Sequence, residues 1–226
     1  MTEATSGAAP QPIYRKDYRP PRYRIDHVDL RFELDEPVTT VHARLQIRRD
    51  PAAPADAPLV LDGEALSLVR VALDGKELGP DAYALTSTSL TLPAPGERFE
   101  LATVVQIRPQ DNTELSGLYR SSGNYCTQCE ADGFRRITYF LDRPDVMARY
   151  SVTIEADRAR YPVLLSNGNR IAEGDLPGGR HFARWDDPFP KPSYLFALVA
   201  GDLRCYPGEF VTASGRRVRL EIWVEP

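Results

Sequence analysis

Between Val28 and Ile47 apolar and polar residues change places at almost every step. Val28, Leu30, Phe32 and Leu34 alternate with Asp29, Arg31 and Glu33. After the Asp35-Glu36-Pro37 turn, Val41, Ala43, Leu45 and Ile47 alternate with His42, Arg44 and Gln46. Strict period two puts one face of each run in a core and the other in water, which a helix of period 3.6 cannot do. The two runs are predicted to be neighbouring antiparallel strands. The pattern returns at Phe99, Leu101, Thr103, Val105 and Ile107, at Tyr150, Val152 and Ile154, and at Val218, Leu220, Ile222 and Val224. Shorter strands are expected at 59–61, 66–73, 83–85 and 90–92. Asp74-Gly75, Asn167-Gly168 and Ser214-Gly215 predict hairpin turns. No window of a dozen residues keeps a helical period; single helical turns are expected at most at 131–136 or 145–149. The fold class is therefore all-β, a large twisted β-sandwich.

The 226 residues, 42% of them hydrophobic, suffice for one large β domain or for one domain and a piece of another. The 20 prolines fall mostly between the periodic runs, as punctuation. A formal net charge of −4 gives no long-range pull toward nucleic acid or anionic lipid. The longest apolar run, 194–200, is far too short to span a bilayer, and the start MTEATSGAAPQP has no apolar signal core. The expectation is a cytoplasmic protein with no nucleic-acid or membrane partner. Three cysteines do not suggest a secreted disulfide framework. Residues 1–21 read as a flexible tail, and the cluster Arg15, Lys16, Arg19, Arg22 and Arg24 reads as a solvated arm. The Pro-rich stretch 187–192 reads as a strap leading into a buried strand at 194–200. Arg143-Pro144-Asp145 reads as a rigid turn, or as an arginine held against a carboxylate. The chain stops directly after a clean strand, at Glu225-Pro226, and is expected to be a fragment.

The stretch YCTQCEADGFRR, residues 125–136, carries two candidate pairs. Cys126 and Cys129 form a Cys-x-x-Cys. A structural zinc site needs four Cys or His ligands, so Cys205 and one of His27, His42 or His181 would have to join from distant strands. A redox pair of this spacing opens a helix in a βαβ context, which is absent here. The plain reading is two reduced thiols packed as small hydrophobes. Gln128 and Glu130 form the second pair. In an extended segment residues two apart point to one side, so these two would face the same way together and Cys129 the other. For Glu130 the competing reading is a salt bridge to Arg135 or Arg136. The chain holds no H-E-x-x-H, no Gly-rich phosphate loop and no G-x-S-x-G, so no catalytic constellation is complete within it.

The segment TQCEADGFRRITYFLDRPDVMARYSVTIEAD, 127–157, together with RYPVLLSNGNRIAEGDLPGGRHFARWDDPFPKPSYLFALVAGDL, 160–203, resembles the N-terminal domain of the bacterial aminopeptidase N family of zinc aminopeptidases. Q-C-E before a short basic turn, L-D-R-P-D, and D-P-F-P-K-P-S-Y-L-F-A-L-V-A-G-D carry the resemblance. It implies a parent enzyme that removes N-terminal amino acids from peptides, using a zinc ion held by a separate thermolysin-like catalytic domain. It implies a saddle-like β domain at 22–202, with 203–226 as the opening strands of the catalytic domain. In that family the Gln and Glu of Q-x-E reach into the cleft. They correspond to Gln128, which would line the pocket for the first side chain, and Glu130, which would help bind the free α-ammonium. The partners implied are peptide substrates and the protein's own catalytic domain. The chain alone, without the zinc motif, is expected to be inactive and to bind no zinc. A stand-alone β-sandwich module that binds protein or carbohydrate is the alternative, and a small structural zinc protein a third.

Overall fold

The alternation at the start of the chain is realised as paired strands. The computed structural model describes residues 14–226, and it holds short 3-10 turns but no longer helix among them. The first strands are β1 (Tyr23–Glu33), β2 (Thr39–Arg49), β3 (Leu59–Asp62), β4 (Ser67–Leu73), β5 (Lys76–Glu77) and β6 (Ala84–Leu85). Next come β7 (Ser89–Leu92), β8 (Arg98–Ile107), β9 (Gly117–Ser121), β10 (Asn124–Gln128) and β11 (Ala148–Asp157). The last are β12 (Val163–Ser166), β13 (Asn169–Leu176), β14 (Arg180–Lys191), β15 (Leu198–Gly201), β16 (Arg204–Val211) and β17 (Arg217–Val224).

Eight strands form one sheet in the order β13-β14-β11-β1-β2-β8-β4-β5, and a four-stranded sheet runs β12-β15-β10-β9. A three-stranded sheet, β3-β7-β6, completes the core, while β16 and β17 pair only with each other. Within the large sheet β1 and β2 are antiparallel, with Leu30 opposite Ala43 and Phe32 opposite Val41. The other side of β1 pairs in parallel with β11, Leu30 opposite Val152. The inward residues of these strands are buried. The outward residues pair across strands, Arg48 with Asp26 at 2.8 Å and Arg31 with Glu155 at 2.5 Å. Exposed pairs of this kind contribute little stability; their effect is on register, because a one-residue slip would bury charge.

Aromatic rings bind the layers together. Phe134 is fully buried and packs its ring against Phe140, Phe196 and Tyr150, with centroids at 4.8, 5.2 and 6.2 Å. Phe196 stacks in turn on Phe32 of β1 at 6.0 Å. The cluster thus joins the large sheet to the segment that follows β10.

Several expectations are corrected by the fold. The turns at Asp74-Gly75 and Ser214-Gly215 do close hairpins, β4–β5 and β16–β17. Asn167-Gly168 does not: β12 pairs with β15 and β13 with β14, so this turn carries the chain from one sheet to another. The Asn167 side chain explains the switch, because Nδ2 donates to the carbonyl of Leu195 at 3.1 Å and Oδ1 accepts from the Ala197 N–H at 2.7 Å. Gly168 has φ +84 and lies so close to Asp186 that a Cβ would stand 2.2 Å from that residue's carbonyl oxygen. The Pro-rich stretch at 187–192 is not a strap but largely the end of β14. Pro188, Phe189 and Pro190 fall in a bulge between the pairs Tyr150–Asp187 and Ala148–Lys191, where a missing N–H costs no ladder bond. The buried strand expected at 194–200 is shorter, Leu198–Gly201, after a 3-10 turn Ser193–Leu195. Of the two possible helical turns, a 3-10 turn forms at Phe134–Arg136, whereas 145–149 runs into β11.

Most of the segment read as a tail, residues 1–13, lies outside the described residues. Further along, Tyr18 donates its hydroxyl to Asp145 at 2.9 Å, and Arg143 donates to the carbonyl of Arg19 at 2.8 Å. Arg143 also grips the Asp145 carboxylate with two N–H groups at 2.9 and 2.7 Å.

Candidate functional site

Strand β10 lies inside the four-stranded sheet, between β9 and β15, and brings the Q-C-E segment to the end of that sheet. Its last residue, Gln128, stands opposite Gly117. The alternation continues one step past the strand. Gln128 and Glu130 are exposed, and Cys129 between them is 3% exposed. Gln128 Nε2 donates to the main-chain carbonyl of Glu130 at 3.3 Å. The chain then turns back. The peptide joining Glu130 to Ala131 is cis, the Gly133 N–H donates to the Cys129 carbonyl at 2.8 Å, and the Arg136 N–H donates to the Gly133 carbonyl at 3.1 Å. The turn is packed so closely on the start of β9 that a Cβ at Gly133 would lie 2.6 Å from the Gln128 carbonyl oxygen and 2.7 Å from Ser116 Oγ.

The two basic residues beside this turn are engaged elsewhere. Arg135 meets Asp142 at 3.1 Å, and Arg136 meets Glu64 at 3.1 Å. Glu130 forms no ion pair with any described residue within 4.0 Å. The salt-bridge reading of Glu130 therefore fails. Glu130 is exposed, and no cation among the described residues neutralises its carboxylate. Such a group is free to accept charge-assisted hydrogen bonds from an external cation.

Asp142 is the residue that sequence reasoning missed. Its side chain is 1% exposed. One carboxylate oxygen, Oδ2, accepts from the Arg135 N–H at 3.0 Å and from Arg135 Nε at 3.1 Å. The other, Oδ1, accepts from Ser193 Oγ at 2.6 Å. Nothing in the sequence marks this set, because its partners are 7 and 51 positions away.

The thiols behave as packing groups. Burial, with the Asp142 charge adding to it, pushes the Cys129 thiol up to about 12. The Cys126 thiol is half-buried, and burial raises it too, against a smaller opposing hydrogen bond from Tyr119. All three cysteines are free. The histidines that a zinc site would need are spread apart. His27 bonds to Ser151, His42 to Glu33 and His181 to the Tyr161 carbonyl. Among the described residues, no three His, Cys, Asp or Glu side chains come together in a way that fits a metal ion.

The β16–β17 hairpin presents Tyr206, Phe210, Leu220 and Ile222 largely exposed. It is tied to β10 through Asn124 Nδ2, which donates to Glu225 Oε1 at 2.8 Å. The hairpin and the Q-C-E segment therefore hang from the two ends of one strand.

The sequence matches the peptidase M1 N-terminal domain over residues 20–195. Aminopeptidase N of Caulobacter vibrioides is 52% identical over 217 residues, 96% of this chain and 25% of that protein. Aminopeptidase N of Escherichia coli is 51% identical over 216 residues, 96% of this chain and 24% of that protein. The chain thus spans about a quarter of the length of the curated relatives it matches. The crystal structure of Legionella pneumophila aminopeptidase A in complex with aspartic acid superposes with a TM-score of 0.88 at 38% identity, covering 93% of this chain and 25% of that one.

Proposed function

The chain belongs to the M1 peptidase family, as its N-terminal domain, and from that premise we propose that it supplies the substrate-amine contact of a zinc aminopeptidase. The whole protein, in this reading, removes N-terminal amino acids from peptides in the cytoplasm. The zinc belongs to a catalytic domain beyond this chain, where it supplies the activated water; the residues described here do not fit it. The exposed Glu130, whose carboxylate has no ion-pair partner among the described residues, two positions from the exposed Gln128, carries the proposal.

An exopeptidase must recognise a terminal cation. Glu130 accepts hydrogen bonds from the α-ammonium of the substrate, and Gln128 lines the place of the first side chain. A blocked terminus leaves the carboxylate without its partner and is rejected for that reason. Residues 22–202 form the β domain, and 203–226 open the catalytic domain. In support, β16 and β17 pair only with each other and leave apolar side chains for a neighbour to cover.

The test is Glu130→Ala in the full-length protein. A hydrogen bond to a charged group contributes roughly 1.5–3 kcal/mol, so kcat/KM for free-amine substrates should fall about ten- to two-hundred-fold. Glu130→Gln, of equal size and no charge, should lose nearly as much. Gln128→Ala should change the ranking of first residues more than the overall rate. Unchanged kcat/KM on free-amine substrates for Glu130→Ala would refute the assignment.

A further inference from the structure

We infer that Asp142 is a positioning residue for substrate recognition: by anchoring the turn that follows Q-C-E, it sets where the Glu130 carboxylate stands. The inference rests on the amine-binding reading of Glu130.

No side-chain bond holds Glu130 itself. Its neighbour Gln128 reaches only its main-chain carbonyl, so the place of its carboxylate is decided by the backbone on either side. On one side that backbone is β10, fixed by its register with β9. On the other it is the turn from Ala131 to Arg136, which Asp142 anchors together with Glu64, whose N–H donates to the Arg135 carbonyl at 3.0 Å and whose carboxylate meets Arg136 at 3.1 Å. The Asp142 carboxylate takes both the main-chain N–H and the guanidinium of Arg135. The Asp142 carbonyl takes a further Arg135 N–H at 3.2 Å, so one residue fixes Arg135 by backbone and side chain at once.

Asp142 is itself pinned from two distant parts of the chain. Ser193, in the 3-10 turn before β15, donates to it. The Asp142 N–H donates to Asp62 at the end of β3, at 3.2 Å. Cys129, pointing away from Glu130, is buried on the same side, where it feels the Asp142 charge. The outward pair Gln128 and Glu130 is thus backed by a buried carboxylate whose bonds all point toward the turn and its supports. Removing that carboxylate leaves the Arg135 main-chain N–H and Nε without their acceptor and loosens the turn, and small displacements of a recognition group carry large kinetic effects.

A double-mutant cycle in the full-length protein tests this. Kinetics are measured on an amino-acid anilide for wild type, Glu130→Ala, Asp142→Ala and the double variant. Asp142→Ala should lower kcat/KM about tenfold or more, and Asp142→Asn, which keeps an acceptor for Arg135, should restore most of it. In the Glu130→Ala background the same Asp142→Ala change should cost less than about twofold, because the group it positions is gone. A purely structural role would lower activity by the same factor in both backgrounds, and that result overturns the inference. If Asp142→Ala does not fold, Ser193→Ala removes only the 2.6 Å bond and runs the same cycle, with the same two outcomes. If Glu130→Ala has no effect, the amine-binding reading falls and this inference with it. If Glu130→Ala has its effect while the cycle is additive, only the positioning role of Asp142 falls.

Discussion

Phe134→Ala probes how firmly the recognition turn is fastened to the core. The ring is fully buried and meets Phe140, Phe196 and Tyr150 edge-on, with centroids 4.8, 5.2 and 6.2 Å away and interplanar angles of 68°, 77° and 84°. Truncation removes the transfer free energy of a buried ring and leaves a cavity. Three aromatic neighbours in fixed edge-to-face contact are poorly placed to fill it, since each would have to leave its own partners. The cavity should therefore stay largely open, and the cost should be about 4 kcal/mol. For a chain of this size that corresponds to a fall in Tm of roughly 8–16 °C. Urea unfolding of the 226-residue chain, followed by the fluorescence of Trp185 and Trp223, measures it. Phe189→Ala is the control. That ring is 76% exposed on the β14 bulge, and its loss should change stability by no more than about 0.5 kcal/mol. A Phe134→Ala cost below about 1 kcal/mol, or one equal to that of Phe189→Ala, would refute the reasoning.

Gly133→Ala should destabilise by about 1–3 kcal/mol, as overpacking does, because its φ of −86 suits alanine but its Cβ would meet the Gln128 carbonyl and Ser116 Oγ. Gly79→Ala, with no atom within 4 Å of its Cβ, should be neutral or stabilising by about 0.4–1 kcal/mol; equal melting temperatures for the two variants would count against the close packing of the turn. Cys129, pushed up to about 12 by burial and the Asp142 charge, should carry almost no thiolate at pH 8 and resist a disulfide reagent until the chain unfolds. Rapid labelling of Cys129 in the native protein, located by peptide mapping, would contradict that.

Local pattern and long-range pairing were unequally visible in the sequence. Alternation at Val28–Leu34 and Val41–Ile47 located β1 and β2 and even their antiparallel pairing, because both sides of that contact lie within a few residues of one turn. The parallel neighbour of β1 left no such trace, since β11 begins at Ala148 and a parallel partner needs no turn signal. Asn167-Gly168 shows the limit of turn chemistry. The dipeptide reports a positive φ, which Gly168 has, but not whether the strands on its two sides join the same sheet. At the site, spacing by two separated Gln128 and Glu130, both exposed, from the buried Cys129. The choice between a free Glu130 and a salt-bridged one depended on where Arg135 and Arg136 turn, and their carboxylates, Asp142 and Glu64, are not neighbours in the pattern. The role given to Gln128 and Glu130 came from the family resemblance and not from spacing.

The parallel pairing of β1 with β11 also has a consequence in time. One neighbour of β1, the strand β2, follows after a short turn; the other arrives more than a hundred residues later. At about 5–20 residues per second, a ribosome takes roughly 5–20 s to deliver it. Throughout that interval the middle of the future sheet is a raw margin, with backbone donors and acceptors open to any extended chain nearby. The Q-C-E turn and Asp142 emerge inside the same interval, ahead of β11, and Ser193 emerges only after β11 is complete. The nascent chain therefore seals its most exposed margin before the last hydrogen-bond donor to Asp142 has been made.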